Sequence, residues 1–400
     1  MTLLYSLAAV LFWGLAFVVF YTYLGYGIVI WVLVRLRQGH ATPPAEPTEP
    51  LPSVTMIVPA YNERDYLPAK LDNCLAQTYP ADKLNLLFVI EGSTDGSAEY
   101  LASRQADIPG LAVLSGTERL GKIVAMNRAM QQVTTDITIF TDANTTLNLE
   151  AISRLVARFA PATVGAVTGE KRISTEGKES AAGSGEGLYW RYESFLKKMD
   201  AQLYTIVGAA GELFAVRTAL YEPVESDTLL DDFIISLRIA QRGYRVEYAP
   251  DAYALERPSH SVDEETKRKI RIAAGGFQAI RRLAPLLSVG RYGWLSFQYI
   301  SHRVLRWAVT PFCLPLLLLL NLLLLTNPAG SMLWTGLFWA QVLFYLAAGI
   351  GYVLENRQTR WKLTFVPFYF VFMNVCVLAG FVRYQRGGLS GKWEKSRRAI

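Results

Sequence analysis

Ile139-Phe140-Thr141-Asp142-Ala143-Asn144 runs from apolar and β-branched residues straight into a carboxylate and, two positions on, a carboxamide. The run reads as a buried strand with hard oxygen ligands at its mouth, a donor set suited to Mg²⁺ or Mn²⁺ held against phosphate. Taken alone it reads equally well as an Asx-rich turn capping a helix that starts near Leu149, because Asp and Asn favour turns and N-caps. The surrounding pattern decides between them.

Upstream, Val54-Thr-Met-Ile-Val58 is a short buried strand ending in Pro59-Ala60-Tyr61-Asn62-Glu63, and Leu86 to Ile90 is a second, ending in Glu91-Gly-Ser-Thr-Asp95-Gly96. Asp65 to Gln77 reads as a helix between them, and strands around Leu111 to Leu114 and Ile137 to Phe140 flank a helical Ile123 to Gln132. This alternation predicts an α/β fold, a doubly wound, mostly parallel sheet that binds ligands at the carboxyl ends of its strands. The polar motifs fall at those ends. Beyond Gly185 come an aromatic-rich helix (Leu188 to Met199), an apolar Leu213 to Val216, a helix through Arg242 and a strand Tyr244 to Tyr248.

The 400 residues are 52% hydrophobic and only 18% charged, and the apolar residues crowd the two ends while the middle looks globular. That is the composition of a membrane protein with one soluble domain. The net charge of +6 is modest, and its cations lie beside the apolar segments, which favours membrane lipid headgroups over nucleic acid. Cys74, Cys313 and Cys376 are too scattered for a disulfide framework or a zinc site, so a reduced, cytosolic setting is expected for the soluble part.

Leu3 to Val34 exceeds the ~30 Å hydrocarbon core at about 1.5 Å per residue. It reads as an uncleaved anchor, and Arg35 and Arg37 place the next residues in the cytosol. The expected organisation is an anchor over 1–37, a proline-rich linker over 38–52, a catalytic domain over 53–265, interfacial amphipathic helices over 266–307, membrane segments over 308–382 and a basic tail over 383–400. Spans at Ala308 to Leu325, Met332 to Leu354 and Leu363 to Val382 would leave the tail outside. Its six Lys or Arg against one Glu favour the inside, which makes the Pro311 and Pro315 segment a candidate re-entrant one.

Gly116-Thr-Glu-Arg-Leu-Gly121-Lys122 matches the start of a P-loop, but Ile123 stands where the Mg²⁺-binding hydroxyl is required. Asp231-Asp232 comes after the apolar pair Leu229-Leu230. The two carboxylates either N-cap the next helix or form a half-buried pair in which one is raised in pKa and serves as a base.

Taken in order, Pro59 to Glu63, Glu91 to Gly96, Gly121-Lys122 with Asn127, Thr141 to Asn144, Gly208 to Glu212, Asp231-Asp232 and Gln241 to Arg245 resemble the membrane-anchored family 2 glycosyltransferases, the group of cellulose, chitin and hyaluronan synthases. The resemblance covers about residues 54 to 280 and implies a GT-A-like, Rossmann-related catalytic domain. It implies that Pro59, Ala60, Tyr61, Glu63, Glu91, Asp95, Lys122 and Arg271 bind the nucleotide sugar, that Asp142 and Asn144 hold Mg²⁺ or Mn²⁺, and that Asp232, with Asp231, is the general base. The implied reaction is inverting transfer from a UDP-sugar to a glycan or lipid-linked acceptor at the cytosolic membrane face, polymerising or adding one sugar to a polyprenyl phosphate. A degenerate, non-catalytic membrane scaffold is the rival reading.

Three positions depart from the family pattern. Glu91 stands where Asp is usual, and Asn144 replaces a second Asp. The family's Gln-x-x-Arg-Trp is here Arg268-Lys-Ile-Arg271-Ile272, which keeps the Arg and loses the acceptor-stacking ring; Trp190 or Trp294 are candidate substitutes. Trp393 and Arg397 in the tail resemble a C-terminal element that folds back on the site in some members.

Overall fold

The structure, a computed structural model, describes residues 2–37, 50–173, 181–257, 262–328, 332–356, 361–389 and 391. Eight strands, β1 (Val54–Ala60), β2 (Leu84–Glu91), β3 (Leu111–Gly116), β4 (Ile137–Thr141), β5 (Thr146–Leu147), β6 (Val164–Ile173), β7 (Leu213–Arg217) and β8 (Arg245–Glu256), form one sheet in the order β3-β2-β1-β4-β7-β6-β8-β5. Every residue of β1 and β4 is buried, as near-continuous apolar strands covered on both faces must be. Leu67, Leu71, Leu101 and Leu155 pack on one face; Ile123, Met126, Ile234 and Leu237 pack on the other.

The chain runs from β1 out to β3 and returns to place β4 on the far side of β1, both neighbours parallel to it. That reversal opens a crevice beyond the carboxyl ends of β1 and β4. The expected parallel pattern holds there, whereas β7 runs antiparallel to both β4 and β6. A continuous apolar run reads the same in either direction, so Leu213 to Val216 carried no sign of it. The reversal matters for function because Leu213 pairs with Thr141, and the loop leading into β7 therefore arrives beside Asp142.

Four helical segments, Leu3–Leu36, Trp294–Leu325, Met332–Glu355 and Leu363–Arg386, are long and apolar enough to cross a membrane. Their outward faces carry exposed Leu3, Leu7, Phe17, Leu319, Leu343 and Val375, an apolar surface suited to lipid. No break separates residues 307 and 308. The helical rod is continuous from Trp294 to Leu325, so the Pro311 and Pro315 segment is its second half. Its first half does not lie free on a surface. His302 and Arg306 are buried against two acids of the helix Ala181–Leu203: His302 Nδ1 lies 2.6 Å from Asp200 Oδ2, and Arg306 Nη1 lies 2.9 Å from Glu193 Oε2. Paired in this way, charges that read as interfacial are accommodated in the interior.

The amphipathic helix Val262–Arg282 lies along the last helix, Lys362–Arg386. Phe277 meets Phe381 at 5.1 Å between ring centroids, and a Cβ at Gly380 would sit 2.5 Å from that of Ala273. Beyond that helix, Gly391 abuts the catalytic domain so closely that a Cβ there would lie 2.3 Å from the Ser226 carbonyl oxygen. The chain thus comes back to the domain after its last helix. Trp393 and Arg397, and residues 38–49 of the linker, lie outside the described residues.

Candidate active site

Asp142 comes directly after β4, and the helix Lys122–Met130 opens on the residue that faces it. Gly121 adopts φ +101° at the start of that helix, a conformation that favours glycine. Lys122 Nζ then stands 2.8 Å from Asp142 Oδ1 and 3.7 Å from Asp231 Oδ2. The P-loop-like stretch therefore delivers its lysine to two carboxylates. Desolvation pulls the Lys122 pKa down, but Asp142 and Asp231 outweigh it and the ammonium is held charged. Burial raises the pKa of Asp142, with Lys122 opposing and Glu212 adding to the rise. Beneath them, buried Lys70 donates to Thr141 Oγ1 at 2.9 Å and to the Thr145 carbonyl at 3.0 Å, fixing the turn that presents Asp142 and Asn144.

Pro59, Ala60, Tyr61, Glu91 and Lys122 line one small cavity with Arg119 and Gly121. The Arg119 guanidinium lies 4.3 Å from the centroid of the Tyr61 ring. Glu91, at the end of β2, is buried and ion-paired with Arg128 at 2.9 Å; burial pushes its carboxyl up while Arg128 opposes. Gly116 makes room for this pair, since a Cβ there would lie 2.7 Å from Glu91 Oε2. Asp95 lines neither this cavity nor the larger one. Its carboxylate accepts from Arg64 N at 2.9 Å and Ser97 N at 3.1 Å, tying the turn after β1 to a helix N-terminus.

The larger cavity, about 530 Å³, holds Tyr61, Glu63, Asp142, Asn144, Asp231, Asp232 and Arg271 together. Asp231 and Asp232 open the helix Asp231–Gln241. The N-cap position itself falls on Leu230, so neither carboxylate is the cap that one expectation gave; both line the cavity. Burial, and next the neighbouring Asp231 carboxylate, push Asp232 up to about 7 against the pull of Lys122. Gly211 packs against it, with a Cβ position 3.3 Å from Asp232 Oδ2. The loop before β7 is tied to this helix by Ala209 N donating to Ser236 Oγ at 3.1 Å.

Several lining residues were not singled out from the sequence. Trp307 lines the cavity with its ring 5.2 Å from that of Phe233, the residue after Asp232; in the sequence it is one more aromatic at the start of an apolar run. Trp190 also lines the cavity, whereas Trp294 does not and instead faces Arg37 at 5.4 Å. Glu212 completes the wall, held by Lys171 Nζ at 2.6 Å. Burial would raise its carboxyl, but Lys171 wins and holds it down to about 2.

Residues 55–224 match the family described as glycosyl transferase family 2. Poly-β-1,6-N-acetyl-D-glucosamine synthase of Staphylococcus aureus is 26% identical over 240 residues, 58% of this chain and 56% of that protein. The chain thus spans little more than half the length of those synthases. N-acetylglucosaminyltransferase of Rhizobium meliloti is 26% identical over 280 residues, covering 65% of this chain and 64% of its own. Over the whole fold, the chain superimposes with TM-score 0.72 and 25% identity on a mannosyltransferase from Pyrobaculum calidifontis in complex with GDP-Man and Mn²⁺, covering 96% of this chain and 99% of that one. Residues 55–224 thus form a domain of the glycosyl transferase family 2 type, in a fold like that of this mannosyltransferase, joined to apolar helices suited to a membrane.

Proposed function

We propose that this protein transfers a sugar, with inversion, from a UDP-sugar to a growing glycan at the cytosolic face of a membrane. The observation that carries this reading is the placement of Asp142 with Lys122, and of Asp232, in the wall of one cavity. The Lys122 ammonium binds the donor diphosphate, and the cavity beside Tyr61 and Glu91 takes the nucleoside. Asp142 and Asn144 would hold Mg²⁺ or Mn²⁺ through the hard oxygens that such ions prefer. When bound, the ion stabilises the charge of the departing diphosphate. Asp232, with a pKa near neutrality, takes the proton of the acceptor hydroxyl as it attacks the anomeric carbon. A single in-line displacement inverts that centre.

The relatives named as poly-β-1,6-N-acetyl-D-glucosamine synthase and N-acetylglucosaminyltransferase support a glycan product and a hexosamine or hexose donor. The mannosyltransferase complex with GDP-Man and Mn²⁺ supports the divalent ion. A lipid-linked acceptor is favoured by one observation, the apolar wall that Met373, Cys376 and Val377 of the last helix contribute to the cavity. A product ladder indicates polymer and a single addition indicates the lipid route. The test of the whole reading is turnover of a UDP-sugar panel with Mn²⁺ by the purified chain: at least one donor is consumed, and Asp142→Ala abolishes its consumption. A chain that neither binds UDP nor consumes any donor is instead a scaffold.

A further inference from the structure

We infer that Arg128 is a positioning residue for the donor's nucleobase: it fixes the Glu91 carboxylate as an acceptor at the small cavity, which restricts the donor to bases that present a ring N–H. This rests on the reading above, in which that cavity takes the nucleoside. Val89 and Glu91, two apart on β2, both line the cavity, as the alternation of side chains along a strand allows. The helix Lys122–Met130 packs on the same face, where Ile123, Ala125 and Met126 share a core with Val89. Its Lys122 and Ala125 line the cavity too. Arg128 follows Ala125 by one turn of that helix, and its Nη2 stands 2.9 Å from Glu91 Oε1.

The pair has a place made for it. Gly116 of β3 lies opposite Glu91, and a Cβ there would come within 2.7 Å of Glu91 Oε2 and 3.0 Å of Arg128 Nη1. Both Glu91 oxygens are buried, and neither makes a hydrogen bond among the described residues. Arg128 thus balances the charge of the carboxylate without filling its capacity to accept. Buried acceptors in that condition call for a donor, and a base in the cavity supplies one. The other two cations of the cavity wall face other groups: Arg119 lies on the Tyr61 ring at 4.3 Å, and Lys122 pairs with Asp142 at 2.8 Å. Arg128 is the cation that opposes the burial of Glu91. An ionised carboxylate accepts and does not donate. Uracil N3 and guanine N1 carry a hydrogen for it, whereas cytosine N3 and adenine N1 offer a lone pair and are repelled.

The test measures the affinity of the full chain in detergent, with Mn²⁺, for UDP, CDP and GDP by calorimetry. Wild type is compared with Arg128→Met and Arg128→Lys. Arg128 is 32% exposed, so its replacement leaves the core intact. The diphosphate is common to the three ligands, and affinity ratios therefore isolate the base. Wild type is expected to bind UDP at least about tenfold more tightly than CDP, the effect of one charge-assisted hydrogen bond. In Arg128→Met, burial acts unopposed, Glu91 takes up a proton and donates it in a hydrogen bond to cytosine N3. The UDP-to-CDP ratio then falls about tenfold near pH 6 and recovers towards pH 8. Arg128→Lys restores a cation and with it the preference for UDP. An unchanged ratio in Arg128→Met, or equal weakening of UDP and CDP, overturns the assignment, as does a wild type that binds CDP as tightly as UDP. A wild type that prefers GDP to both supports the ring N–H rule and overturns the uracil reading alone. One that binds no nucleotide and consumes no donor overturns the transferase reading and this inference with it.

Discussion

The Lys122 ammonium stands 2.8 Å from the Asp142 carboxylate, joining the first turn of the helix after β3 to the mouth of β4. It is also 3.7 Å from Asp231, so one cation stands between the two ends of the proposed reaction path. Removing it leaves two largely buried carboxylates facing each other. Lys122→Ala is expected to cost about 3 kcal/mol of stability, as loss of one partner of a buried pair does. It should also weaken UDP binding at least about tenfold. Thermal unfolding and calorimetry on the purified variant check both.

Asp232 supplies a pH prediction with two opposite consequences. A base raised to about 7 must be deprotonated to act, so kcat/KM falls as pH drops below about 7. Its ordinary value is 3.8, so the folded state favours the protonated form and stability is lost as pH rises from 3.8 towards 7. Asp232→Asn is therefore expected to be more heat-stable than wild type at pH 8, with little difference at pH 3. A melting series across pH reads this directly.

How much of this site was legible in the sequence depends on what each residue's neighbours conceal. Asp142 and Asp232 stand out because each ends an apolar stretch abruptly in charge. Glu212 shows only as the end of the Gly208 to Glu212 motif, because its place beside Asp142 comes from the antiparallel entry of β7, and a continuous apolar run carries no direction. Trp307 and His302 sit where an amphipathic run becomes a membrane span, and either reading explains them locally. The burial of His302 and Arg306 results from Asp200 and Glu193, more than 100 residues earlier, a pairing that no local period reveals. The parallel half of the sheet was readable because buried parallel strands separated by helices leave a regular trace.

Glu193 is the hub of that hidden pairing. Arg303 Nη2 lies 2.7 Å from it, Arg306 Nη1 2.9 Å and His302 Nε2 3.4 Å. Burial alone would raise its carboxyl, but Arg303, His302 and Arg306 hold it well below its usual value of 4.5. The stabilisation is fully present above that pH and fades as pH falls towards the depressed pKa. Glu193→Gln is expected to destabilise the chain by about 3–5 kcal/mol at pH 7. The gap to wild type should narrow below pH 4.5, seen as converging melting temperatures.

Gly208 tests the loop that carries Gly211 and Glu212. Its φ of +99° favours glycine, and a Cβ would meet the Phe233 ring at 2.2 Å. Gly208→Ala is expected to cost about 1–3 kcal/mol in backbone strain and, by displacing the residue next to Asp232, to lower turnover more than UDP affinity. Comparing calorimetry with initial rates separates the two effects.

The central claim, that Asp232 is the base of a sugar transfer whose diphosphate lies at Asp142, is tested most directly by Asp232→Asn in purified full-length chain. UDP binding with Mn²⁺ is measured beside transfer from a UDP-sugar that the wild type consumes. The account predicts UDP affinity within about twofold of wild type and transfer reduced by at least the ~10²-fold that a general base supplies. Undiminished transfer by Asp232→Asn would contradict it.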